Sequence, residues 1–584
     1  MRRRARRHSA PRTRTVAKST SSAARVVLRA AVWSILNGTW KSKMEPLMSM
    51  FRKTILLIGF SGVLAAAQMP QIVKQGQKYT LMVDGKPFIV LGGQVNNSSG
   101  WPGRMQEIWP VFKALNANTA EIPVYWEVVE PKPGEFHFEA VDQIVRDART
   151  QRLHVVFLWF ATWKNGAMDY APSWVKGDPV KYPRMIDSGG QQVRVLSPHS
   201  ENTRSADQGA FVAFMRHLKE VDGDAHTVIM VQVENEPGSL FTDRDHSPAS
   251  NKLFEGPAPA ALTTALKRPA GTWSEVFGAE ADESFAAWHV ARYINEIAAA
   301  GKKEYPLPLY VNVWLREQKN FMRPGENYPS GGGTANMLDI WKASAPAIDV
   351  IAPDNYVTDY MNYRAVCESY HRPDNPLLIP ETGGTGGYPR YMFYAIADFD
   401  TLGFSPFGID RIAGGALPAA AGAAAGQSMM DLVRPLIDNY RLLGPAVDKI
   451  AELQGTGKLR SAVEEDQLTE RLLVFTNYEV LAQFGPTRTS YGGTFASGTA
   501  KTTGRAMVAE LAPDEFLLIG FDSRIRFEPR RGSKLKNSQF VWVEEGRYED
   551  GEWKTTRRLN GDETFFGVSL PSQGGMLRAK LMSY

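Results

Sequence analysis

The chain of 584 residues holds 67 Lys and Arg against 62 Asp and Glu, a net charge of +5, with 43% hydrophobic and 22% charged residues. This is the composition of a soluble globular protein with two or three cores, and a single cysteine, Cys367, excludes a disulfide framework or a cysteine-rich metal site. The positive sign is local: residues 1–67 carry 14 Lys and Arg against one acidic residue, a charge of +13, which leaves the rest at −8 and removes the footing for a nucleic-acid reading.

Residues 1–49, rich in arginine, fit no folded element and read as a disordered extension or an upstream translation artefact. Residues 50–67 read as a signal peptide: Arg52 and Lys53 form a basic start, Ile55 to Leu64 an apolar stretch, and Ala65-Ala66-Ala67 a small-residue cleavage site. The stretch is too short to span a bilayer. The expectation is an exported protein, periplasmic or secreted, with no membrane insertion after cleavage.

From residue 68 to 452 apolar runs alternate with helix-length segments. The runs are 87–94, 119–126, 154–160, 227–236, 309–314, 349–355, 376–382 and 402–409. Near-continuous apolar strands separated by amphipathic helices point to a parallel sheet covered on both faces. Eight of them make an α/β (β/α)8 barrel the economical arrangement, with a doubly wound open sheet as the alternative. Residues 241–275, rich in Pro, Ala and Thr, read as a long loop over the barrel mouth. From 453 to 584 short alternating runs separated by Gly, Asn, Asp and Pro predict a smaller all-β, sandwich-like domain.

In a barrel the reaction site lies at the carboxyl ends of the strands. Those tips offer Gln94 and Asn96, then Tyr125, Trp126, Glu127 and Glu130, then Trp159, Trp163, Lys164 and Asn165. The fourth carries Glu234, Asn235 and Glu236; Trp314, Asn355, Tyr356 and Glu381 follow on later strands. Carboxylates, amides and tryptophans dominate. None of the nine histidines falls in a metal-ligand spacing, so neither metal nor cofactor is expected. Indole faces that pack on sugar C–H groups, with side chains that bond hydroxyls, are the inventory of a carbohydrate site. Two carboxyl groups from opposite sides of a barrel suit glycosidic bond cleavage, one protonated and one ionised. Strands 4 and 7 each end in a candidate. Strand alternation places Glu234 and Glu236 on one side and cannot choose between them.

"QVENEPG" (232–238) resembles the acid/base motif of glycoside hydrolase family 35, retaining β-galactosidases on a (β/α)8 barrel, and "TAEIPVYWEVVEPKPGEFHFE" (119–139) is similar to a second stretch of that family. The likeness covers roughly residues 80–450. In ordering, with "WKNG", "IPETGG" and an extra C-terminal β domain, it is nearest the bacterial type. The resemblance implies Glu236 as acid/base, Glu381 as nucleophile, Asn235 on the sugar 2-hydroxyl, Glu130 on sugar hydroxyls and Tyr356 as partner of the nucleophile. Pro237, Glu127 and Val129 depart from the family pattern at positions bordering the sugar.

The expected function is therefore a retaining exo-glycosidase removing terminal β-galactosides by two glutamates, whose carboxyl groups should lie about 5–5.5 Å apart. Tyr125, Trp126, Glu127, Trp163, Asn165 and Trp314 complete the expected sugar contacts. A related activity (β-glucosidase, α-L-arabinopyranosidase or endo-glycanase) and a non-catalytic glycan-binding barrel are the alternatives. The expected partner is a carbohydrate substrate, with homo-oligomer formation left open.

Overall fold

The structure, a computed structural model, describes residues 68–316, 322–412, 428–465, 469–484 and 503–584, together with the backbone of short strands at 487–488 and 494–495. The expectations for residues 1–49 and 50–67 lie outside the described residues.

Eight parallel strands close into a barrel: β1 (Val90–Gln94), β2 (Thr119–Tyr125), β3 (His154–Lys164), β4 (Val228–Asn235), β5 (Leu309–Trp314), β6 (Val350–Asn355), β7 (Ile379–Thr382) and β8 (Gly403–Pro406). They follow one another round the ring in chain order, and β8 pairs with β1 through Gly403 and Val90. Each expected run overlaps one of them, and β3 continues past its expected end at residue 160 to Lys164. The reason shows on β3. Val155, Phe157, Trp159 and Ala161 face the surrounding helices, whereas Val156, Leu158 and Phe160 fill the interior with Met230, Tyr310 and Ala352. With both faces buried, no polar alternation is left. β4 and β7 stand three staves apart rather than diametrically opposed.

Three antiparallel strands, Gln71–Gln75, Lys78–Val83 and Lys86–Phe88, precede the barrel and were absent from the sequence reading. Leu81 and Val83 join the interior core beside Val90, Leu378 and Leu402, residues at the amino-terminal ends of their staves. This meander stoppers the base, so the opposite end is the open one.

The segment 241–275 is not a loop. It folds into helices Pro248–Glu255, Ala260–Ala265 and Trp273–Phe277, capped by Ser247 on the first and Thr272 on the third. Arg244 pins it, bonding Asp282 at 2.6 Å and Asn251 at 2.7 Å beneath the Phe254 ring.

Beyond the barrel, strands Leu459–Val463, Arg505–Ala512, Glu515–Phe521, Gly575–Ser583, Ser538–Glu549 and Glu552–Leu559 form one sheet in that spatial order, and Glu470–Val474, Tyr478–Phe484, Ser523–Pro529 and Val568–Leu570 a second. Phe516, Leu518 and Ala579 of the first meet Val480, Ala482 and Ile525 of the second in one core, which is the expected sandwich. The large sheet's other face is also apolar. Leu517, Ile519, Phe521 and Met576 belong to the same core as Phe393 and Leu436 of helices Tyr388–Ala397 and Met429–Leu443. There the buried Arg505 donates to Asn439 Oδ1 at 2.7 Å and lies 3.9 Å from the Phe521 ring centre, and burial lowers its pKa to about 9.

Candidate active site

The tip of β4 departs from strand geometry. Glu234 and Glu236 both have positive φ, 64° and 45°, as does Asn165 across the β3–β4 seam at 53°. Left-handed backbone at non-glycine residues costs about 1–3 kcal/mol each and gathers at functional sites. Neighbouring bonds hold the turn: Asn165 N–H donates to Asn235 O at 3.2 Å and Gly166 N–H to Glu236 O at 3.0 Å. The chain then leaves through Gly238, at φ 122°, where a Cβ would come within 2.3 Å of Ser330 O.

These two turns send the two glutamates to opposite sides of the barrel wall, against the alternation expected from sequence. Glu234 faces outward into the layer between β3 and helix Glu201–Asp222, where Trp163 N–H donates to Oε2 at 2.7 Å. Beside it Asp207 accepts from Trp159 Nε1 at 3.0 Å and Thr162 Oγ1 at 2.6 Å. Both carboxyls are buried, and desolvation raises both pKa values. Glu234 Oε1 meets no N–H or O–H donor among the described residues, and after desolvation the charge and hydrogen bond of Asp207 raise Glu234 further.

Glu236 faces inward. Its carboxyl oxygen, one of Asp354 and one of Glu381 lie within 4.8 Å of one another. They form the floor of a cleft of about 290 Å³ walled by Asn165, Trp314, Leu315 and Tyr356. Glu381 is held from two sides: Gln94 Nε2 donates to Oε2 and Tyr356 Oη–H to Oε1, each at 2.9 Å. Two donors favour the charged form of a carboxylate. Glu236 has its pKa raised to about 7, by burial first and by the charge of Glu381 second, partly offset by Lys164. Glu236 can therefore hold a proton near neutral pH beside a carboxyl gripped by two donors. Tyr356 is itself raised by burial and by Glu381, so it stays a donor.

Among the described residues these three carboxyls are the one cluster close enough to share a cation. Both Glu381 oxygens accept from Gln94 and Tyr356, and Asp354 Oδ2 accepts from Asn312, an arrangement suited to hydroxyl-bearing ligands.

Among the remaining candidates, Asn165, Trp314 and Tyr356 line the cleft. Asn235 is buried beside it. Lys164 Nζ donates to its Oδ1 at 2.8 Å, and its Nδ2 has no acceptor among the described residues. Five others sit elsewhere. Trp163 and Trp126 are fully buried in the outer core, the first edge-on to Tyr293 and the second edge-on to Trp174, because large apolar rings there fill the gap between strand and helix. Glu130 closes its own turn, accepting from Trp126 Nε1 at 2.9 Å and Gly134 N–H at 2.7 Å. Glu127 pairs with Lys176 at 3.2 Å outside the cleft. Tyr125 accepts from Gly100 N–H at 2.9 Å and stacks between Trp101 and Tyr170, again apart from the cleft lining.

Sequence reading missed Asp354 and Asn312 and gave Gln94 no role. Asn312 interrupts "LYVNVW" and Asp354 interrupts "VIAPDN". A polar residue inside a run buried on both faces is costly without a partner, and that was the available signal.

The glycoside hydrolase family 42 model, described as β-galactosidase, matches residues 97–299, and a domain of unknown function, DUF5597, matches residues 436–571. A β-galactosidase of Xanthomonas manihotis is 28% identical over 196 residues, 32% of this chain and 29% of that protein. Beta-galactosidase 12 of Oryza sativa subsp. japonica is 22% identical over 201 residues, 32% of this chain and 20% of that protein. The chain therefore spans under a third of the length of these relatives. Among solved structures, β-galactosidase from Bacillus circulans sp. alkalophilus aligns with TM-score 0.43 and 16% identity over 62% of this chain and 57% of that one. The catalytic domain of β-amylase from Paenibacillus polymyxa gives TM-score 0.41 and 13% identity over 55% of this chain and 92% of that one.

Proposed function

We propose that the protein is a retaining, exo-acting β-galactosidase of the family 35 type. One observation carries the reading: carboxyl oxygens of Glu236 and Glu381 lie within 4.8 Å of each other in a small cleft, Glu236 with its pKa raised to about 7 and Glu381 held by two hydrogen-bond donors. That separation suits direct attack on the sugar, since an inverting pair needs roughly 6.5–9.5 Å to admit a water between its carboxyls. Glu381 attacks C1 as Glu236 gives its proton to the leaving oxygen. Glu236, now ionised, takes a proton from water, whose oxygen displaces Glu381 and releases the sugar with its configuration retained. A cleft of about 290 Å³ is at the small end of ligand pockets, which favours a terminal residue over a polymer lying through the site. Asn235 Nδ2 is the free donor for a sugar hydroxyl, and Trp314 the aromatic wall. The galactose preference rests on the likeness of residues 97–299 to β-galactosidase. Export through residues 50–67 is part of the same proposal.

A panel of nitrophenyl glycosides, with the anomer of the first product followed by NMR, tests this. Release from the β-galactoside with the β-anomer appearing first is expected. An α-anomer first would end the retaining mechanism; turnover of a different glycoside alone would end the substrate assignment.

A further inference from the structure

The floor of the cleft holds one carboxyl more than a double displacement needs. Asp354 is buried on β6, between β5 and β7. Asn312 Nδ2 donates to its Oδ2 at 2.7 Å, and Asn312 Oδ1 accepts the Glu236 backbone N–H at 2.9 Å, so one amide ties Asp354 to the acid/base residue. The other oxygen, Asp354 Oδ1, is buried with no N–H or O–H donor in reach among the described residues, and a carboxyl oxygen of Asp354 lies within 4.8 Å of one of Glu236.

The charged and titratable groups facing Asp354 are Glu236 just past β4, Glu381 from β7, Lys164 from β3, Tyr310 from β5, Tyr356 just past β6 and Tyr370 from helix Tyr360–Tyr370. Lys164 is the one cation among them. Three ionised carboxylates against one ammonium in a buried site would leave two uncompensated charges. Two bare carboxyl oxygens in each other's reach repel unless a proton lies between them.

We propose that Asp354 is carried as a neutral carboxylic acid whose Oδ1–H donates to the Glu236 carboxyl, making it a positioning residue that sets the protonation of the acid/base group. Burial and the charges of Glu381 and Glu236 hold its pKa well above the usual carboxylate range. The charge then balances through both steps. At rest Glu381 is ionised while Glu236 and Asp354 are neutral, one negative charge facing Lys164. On glycosylation Glu381 becomes an ester and Glu236, having passed its proton to the leaving oxygen, carries the charge instead. The Asp354 donor stabilises Glu236 in that second state, where Glu236 must act as a base. Its effect on Glu236 is a modest lowering of pKa, which keeps the group able to give and to take a proton. The inference rests on the double-displacement reading for its consequence, though not for the protonation itself.

Infrared titration of the substrate-free protein decides the protonation without turnover. Near pH 7 the wild type should show a neutral-carboxyl C=O stretch that vanishes in Asp354→Asn; its absence, with only carboxylate bands assigned to Asp354, overturns the proposal whatever the enzyme does. Kinetics then test the positioning. Asp354→Asn keeps a donor toward Glu236, so the alkaline limb of kcat/KM should move by less than about half a pH unit, while Asp354→Ala should lose about 10- to 100-fold, chiefly in kcat. A downward shift of more than about one unit in the Asn variant would mean that a negative charge had been removed, and the neutral-acid assignment fails. If Glu236 and Glu381 variants prove fully active, the proposed function falls while the infrared result still stands.

Discussion

One strand feeds two buried carboxyl clusters, and their contrast shows what makes a charge chemically useful. Outside the barrel wall, Glu234 and Asp207 are sealed between β3 and helix Glu201–Asp222, every approach filled by Trp159, Thr162 and Trp163. Inside it, Glu236, Asp354 and Glu381 meet at the bottom of a cleft. Burial raises carboxyl pKa values on both sides. A perturbed pKa therefore does not mark the reactive pair; it marks a reactive pair only where a ligand can reach it. The sealed cluster grips Glu234 at the distorted tip of β4, and the open one receives the Glu236 side chain that the same tip turns inward.

The largest test of this division is Glu381→Gln. It should lower kcat/KM at least about 10⁴-fold with the melting temperature little changed; activity within tenfold of wild type would place the nucleophile elsewhere. Next is Glu236→Gln, expected to cost about 10²- to 10⁴-fold on a substrate with a poor leaving group. Because Glu236 must be protonated and its pKa is raised to about 7, wild-type kcat/KM should fall above about pH 7. That limb should be missing in the variant; a limb that persists would belong to another group. Tyr356→Phe removes one of the two donors on Glu381 and should cost roughly 10-fold, checked by kcat/KM at the pH optimum. The smallest effect belongs to the sealed side. Glu234→Gln can still accept from Trp163 N–H and donate to Asp207, so activity should stay within about threefold and stability within about 1 kcal/mol by urea denaturation. A large loss of activity without loss of stability would erase the distinction between the clusters.

A fifth test uses stability alone. Glu121, inside the barrel, accepts from Ser405 Oγ at 2.6 Å, and burial raises its pKa to about 8. The folded state thus keeps a proton that the unfolded chain gives up above about pH 4.5. Unfolding free energy should decline as pH rises between about 4.5 and 8, by an amount on the order of a few kcal/mol for this group. Glu121→Gln should flatten that decline, and an unchanged slope would exclude Glu121 as its source.

The barrel was legible because parallel staves buried on both faces write themselves as unbroken apolar runs, and the tips of the fourth and seventh named the facing glutamates. What sequence could not give was direction. Alternation assigned Glu234 and Glu236 to one side, and positive φ at both separated them. Trp126 and Trp163 were read as sugar contacts from their place at or just past strand tips, yet a wide indole fills the strand–helix gap equally well. Asp354 stayed hidden because "VIAPDN" reads as strand, and its value lies in neighbours from β4 and β7 that only the closed ring assembles. The basal meander escaped because its short strands are half exposed and lack a clear period.

The large C-terminal sheet is greasy on both sides, one against its sister sheet and one against the barrel's last helices. Separate expression of either half would leave a wide hydrophobic scar, and such scars drive precipitation. The intact chain should accordingly melt in one calorimetric transition. Packed this way, the sandwich keeps the barrel's flank dry.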